Sequence, residues 1–162
     1  MDQNTKKIID QLKNDFDLAI RTHTHDGNGS QSVNSLNVFA DYKYILYRIV
    51  APTTANAVAT KVGGDLVMPF SGSVFEVGAT VDTAGTTGTT QIDVNNNGTS
   101  ILSTKITIDS AEKTSRDAAT PSVINMTLPD FKVGDIFTFD VDTIQTTPAL
   151  GLTVYLMVVR TI

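Results

Sequence analysis

The sequence predicts a mainly β fold, an antiparallel jelly-roll-like β-sandwich of about eight strands preceded by one amphipathic α-helix. Three observations carry that prediction. Apolar residues recur with a period of two from Asp41 onward. Gly-, Asn- and Pro-containing turns separate the alternating runs. No helical stretch lies between them to act as a crossover, so the strands pair mostly antiparallel and stack as two sheets.

Composition narrows the function classes. A chain of 162 residues has room for one main domain plus an appendage. Hydrophobic residues make up 41% and charged residues 18%, the profile of a turn-rich β protein rather than a disordered one. The net charge of −5, with no basic cluster, argues against a nucleic-acid partner. No apolar run approaches the ~20 residues of a membrane-spanning helix. Met1 to Asp10 is too polar for a secretory signal, which predicts synthesis in the cytosol. The absence of cysteine removes disulfides, thiolate catalysis and cysteine zinc sites, so packing or oligomerisation must supply stability.

Residues 2–20, DQNTKKIIDQLKNDFDLAI, contain neither Gly nor Pro. Thr5, Ile9, Leu12, Phe16 and Ala19 follow one another at spacings of four, three, four and three, a heptad seam on an amphipathic helix. A helix this short is marginal alone and must lay its stripe on its own domain or on copies of itself. The bulky Ile9, Leu12 and Phe16 suit a three-stranded bundle at least as well as a dimer. The sequence thus divides into a helical stem at 1–25, a Gly-, Ser- and Asn-rich linker at 26–40, and a β-sandwich head at 41–162.

Within the head, KYILYRIV (43–50) reads as a largely buried strand and VFEVGATVD (74–82) as a half-buried one, with Phe75, Val77, Ala79 and Val81 on one face. TQIDV (90–94), ILSTKITID (101–109), SVINMTL (122–128), DIFTFDVD (135–142) and LGLTVYLMVVRTI (150–162) follow, with a weaker candidate at DLVMP (65–69). NNNG (95–98) reads as a hairpin tip.

His23 and His25 are the only histidines. At i and i+2 they face one way on an extended backbone, too few to close a metal site within one chain. The heptad spacing extended past Phe16 and Ala19 reaches His23, so three chains could bring six imidazole nitrogens to one axis. The competing reading has one imidazole cap the helix and the other bond within the Asp26-Gly27 turn. Neither histidine has the pocket that nucleophilic catalysis requires, and no catalytic residue is expected. Asp140 and Asp142 share a strand face, with Asp135 just before. Because Thr138, Asp140 and Asp142 alternate with Phe137, Phe139 and Val141, a solvated outer face explains them better than glycoside hydrolysis or calcium binding. Tyr42, Tyr44, Tyr47 and Tyr155 could stack on sugars, but the tyrosines at 42–47 are expected to pack where stem meets sandwich.

The joint HTHDGNGSQSVN resembles the "HTHDG…S" signature of tailed-bacteriophage virion proteins. LSTKITIDSAEKTSRDAATPSVI, GDIFTFDVD and GLTVYLMV are similar to the C-terminal domain of phage tail-fibre and head-fibre proteins, so the likeness covers roughly residues 21–160. The resemblance implies a homotrimer assembled in the host cytoplasm and placed on the virion surface. Its stem would attach to capsid, neck or tail proteins, and its heads would sometimes contact host-surface glycans. It also implies one Fe or other transition metal per trimer, held by His23 and His25. The alternative class is a carbohydrate-binding module of an enzyme system, and a depolymerase is the third.

Overall fold

The computed structural model describes residues 41–161, which are mainly antiparallel β structure. The expected helix at 2–20, its seam residues Ile9, Leu12, Phe16 and Ala19, the pair His23 and His25, and the linker at 26–40 lie outside the described residues. The first strands are β1 (Asp41–Ala55), β2 (Leu66–Val67), β3 (Gly72–Thr80), β4 (Thr90–Asn96) and β5 (Thr99–Ser100). There follow β6 (Leu102–Thr104), β7 (Ile106–Ile108), β8 (Val123–Ile124), β9 (Asp130–Phe131), β10 (Ile136–Thr143) and β11 (Leu150–Arg160). A single 3-10 turn, Ser115–Asp117, sits between β7 and β8, and the Thr114 hydroxyl caps it by accepting from the Arg116 N–H.

Two sheets carry the fold. One has the order β1-β11-β3-β9; the other runs β2-β10-β4-β5, with β7 also paired to β4. A two-stranded ribbon, β6-β8, completes the set. The chain passes directly from one of these sheets to the other between β1 and β2, β2 and β3, β3 and β4, β9 and β10, and β10 and β11. Both sheets face one apolar core: Ile92, Val94, Ile106, Ile108, Phe137, Phe139 and Val141 from one side, Val74, Val77, Leu152, Val154, Leu156 and Val158 from the other. Burying each large side chain contributes roughly 1.5 to 3 kcal/mol. Phe131 meets Phe137 edge-on at 5.7 Å, and Tyr47 stacks on Phe139 at 5.5 Å while donating its hydroxyl proton to the Gly63 carbonyl. Buried Gln145 pins one margin of this core. Its Oε1 accepts from Thr90 Oγ1 at 2.7 Å, and its Nε2 donates to the Asp109 carbonyl at 3.2 Å.

Every predicted strand has a counterpart, and the departures have physical causes. The 101–109 run splits at Lys105 because β6 pairs with β8 while β7 pairs with β4. Only Val123–Ile124 of the 122–128 run is strand. Two short strands without a sequence signal, β5 and β9, bring the total to eleven among the described residues. The NNNG stretch is a two-residue hairpin turn, as read: Asn96 pairs with Thr99, and Asn97 and Gly98 both take positive φ, 49° and 82°.

Two corrections concern the first sheet. KYILYRIV is not a buried strand. An unbroken apolar run suggests burial on both faces, yet β1 is an edge strand on which Tyr42, Tyr44, Leu46 and Arg48 are exposed, while Ile45, Tyr47, Ile49 and, past a register shift, Val50 pack on the core. Phe75 does not share a face with Val77. β3 pairs Glu76 with Met157 and Val74 with Val158, leaving Phe75 as the extra residue of a β-bulge. The bulge puts Val74 in the core and turns Phe75 outward.

Candidate functional site

The outer face of the β1-β11-β3 sheet gathers the exposed aromatics of the head. Register alone places them: Tyr42 lies opposite Val159, Tyr44 opposite Met157, and Leu46 opposite Tyr155. Met157 and Tyr155 in turn lie opposite Glu76 and Gly78 on β3. Tyr42 is 62% exposed, Tyr44 54%, Leu46 60% and Phe75 43%. Tyr42 touches Phe75 edge-on, with ring centroids 5.2 Å apart. Within the described residues Tyr42 and Tyr44 are thus exposed, whereas Tyr47 is half-buried against Phe139.

Tyr155 is the buried centre of the face. Tyr44 lies 5.5 Å from it in a tilted stack, and the Arg116 guanidinium sits 5.5 Å from its ring centroid. The Tyr155 hydroxyl accepts from Arg116 Nε at 3.1 Å and donates to Glu76 Oε1 at 3.3 Å. Arg116 Nη2 donates to the same carboxylate oxygen at 2.8 Å. Burial pushes the Tyr155 phenol above its ordinary value, with the neighbouring Arg116 opposing the rise. Beside this triad, Phe75 and Glu76 of β3 and the 122–126 segment enclose a cleft of about 260 Å³, rimmed by Ser122, Val123 and Met126. That volume is below the ~300–1,000 Å³ of pockets that enclose a small-molecule ligand. It suits one side chain or one ring.

The carboxylates on the other sheet are engaged. Asp140 lies directly opposite Asp93 in the β10-β4 ladder, a like-charge pairing that needs compensation. Lys105 supplies it, with Nζ 2.7 Å from Asp142 and 3.4 Å from Asp93. The Asp142 hydrogen bond is the main reason the Lys105 ammonium is held above its usual range. Asp140 accepts from the Lys61 N–H at 2.8 Å and from Asn95 Nδ2 at 3.0 Å. Asp135 accepts from the Lys132 N–H, chiefly, and from Asn97, which hold it below the usual carboxylate range. On the face expected to be solvated, Asp140 and Asp142 are half-buried and Thr138 is buried. Among the described residues no group of three His, Asp or Glu side chains is placed to hold a metal ion.

His23 and His25 lie outside the described residues. The Glu76–Arg116–Tyr155 triad escaped sequence reading because its members are about forty residues apart and share no motif spacing. The outward Phe75 escaped it because a bulge leaves no mark in the alternation.

No family model, no curated protein and no solved structure matches this chain.

Proposed function

We propose that this chain is a structural protein of a bacteriophage virion, a short homotrimeric head-fibre, tail-fibre or decoration protein with no enzymatic role. Its two sheets form a jelly-roll-like sandwich that serves as the head. The stem at 1–25 attaches to capsid, neck or tail proteins, and the heads stand on the virion surface after assembly in the host cytoplasm. The resemblance of HTHDGNGSQSVN and of the β stretches to phage fibre proteins motivates the reading. The observation that carries it is the exposed aromatic face on β1, the first strand after that joint, which is the composition of a surface meant to be covered by protein.

Three heads on one stem would hold a host-surface glycan by avidity, without a tight individual site. In the trimer, His23 and His25 of three chains form a six-imidazole donor set suited to one Fe or other transition metal. One purified sample tests both points. Light scattering is expected to give about three times the 17.4 kDa chain mass. Removal of residues 1–20 is expected to lower the apparent association constant by at least a hundredfold. Elemental analysis is expected to find one transition-metal ion per three chains, lost in the His23→Ala/His25→Ala variant. A full-length monomer at micromolar concentration overturns the fibre reading.

The second reading is a carbohydrate-binding module. It draws on the Glu76–Arg116 pair beside exposed tyrosines, since sugars stack on aromatic faces and bond to charged groups through their hydroxyls. A monomer that binds glycans on an array, with Tyr44→Ala abolishing the signal, would favour it.

A further inference from the structure

We infer that the outer face of the β1-β11-β3 sheet is where the heads of three copies of this chain pack against one another around a shared axis. The inference rests on the trimer reading and names the surface that the head itself contributes.

The face is contiguous. Leu46, Tyr44 and Tyr42 run along β1, Tyr42 meets Phe75, and Phe75 forms one wall of the cleft whose far rim is Met126, 82% exposed. Tyr, Phe, Met and Arg are the residues enriched in protein–protein contacts. The cleft takes one side chain, the size of a knob from a neighbouring copy, and its nearest charged groups, Arg116 and Glu76, already satisfy each other.

Chain length favours a second copy over an unrelated partner. Forty residues precede Asp41, they carry the heptad seam, and they end where β1 begins. Whatever path the fifteen residues 26–40 take, they span at most ~50 Å. Copies joined at the seam therefore meet at an effective concentration on the order of millimolar. Weak apolar contact is enough at that concentration. The contact uses the face of β1, where Leu46, Tyr44 and Tyr42 are exposed.

The full chain has no cysteine, so one introduced thiol reports on its own surroundings. Tyr44→Cys and, separately, Leu46→Cys are oxidised in dilute solution and compared with Val67→Cys, an exposed position on the opposite sheet. Two positions on the stripe guard against a thiol pair held too far apart. The expected result is a trimeric mass for all three variants, with disulfide-linked pairs at least tenfold more abundant from one or both stripe positions than from Val67→Cys. A trimeric mass without that excess overturns the face and leaves the stem trimer standing. The same holds if a glycan or the chain's own N-terminal segment covers the stripe, because neither places two thiols together. A monomeric mass overturns both readings.

Discussion

Gly78 lacks a side chain where Tyr155 needs room. A Cβ built there would clash with the hydroxyl oxygen, Cζ and Cε1 of Tyr155. That ring has nowhere to go, being under Tyr44 and bonded at its oxygen to Arg116 and Glu76. Gly78→Ala is therefore expected to cost about 1–3 kcal/mol, the usual range for overpacking. A fall in the urea midpoint with an unchanged slope would register it. An unchanged midpoint would mean that Tyr155 can leave its place, and that the triad does not order the face.

At the scale of elements, most strands were legible and the misreadings share a cause. Period-two alternation reports which residues share a face only while pairing stays regular. At β3 one extra residue reverses the parity, and Val74 takes the core place that alternation assigned to Phe75. The outcome is measurable: Phe75→Ala should cost about 1 kcal/mol within the head, whereas Phe139→Ala should cost the ~3–5 kcal/mol of a core aromatic. Equal losses in the two variants would restore the regular ladder. β1 misled in a different way, because hydrophobicity does not say whether a strand is central or at an edge. The hairpin at Asn97-Gly98 was legible because its turn chemistry is local. The Glu76–Arg116–Tyr155 site was not, because folding assembles it from distant segments.

At the scale of the molecule, ionisation sets a broad stability window. Asp82 is held below 3.8 chiefly by its hydrogen bond to Arg48, and Asp135 chiefly by the Lys132 N–H. Carboxyls with lowered values contribute stability that is complete above their ordinary 3.8 and lost as pH falls through the folded-state values. Tyr155 has the opposite sign. Its raised value keeps its contribution complete below 10.0 and loses it as pH climbs further. Thermal unfolding followed across pH should show a plateau between these limits, and Tyr155→Phe should soften the alkaline fall. A midpoint that stays level as pH falls from 6 to 2 would contradict this.

The β1-β11 ladder also fixes where attachments to the head would project. Asp41 pairs with Arg160 at one end of the sheet, and Ala55 with Leu150 at the other, where Thr86 bridges to Thr147. A reporter fused beyond Arg160 would emerge beside residue 41. One spliced into the Thr86–Gly88 turn would stand at the opposite pole, so the two placements offer a labelling ruler along the long dimension of the sheet.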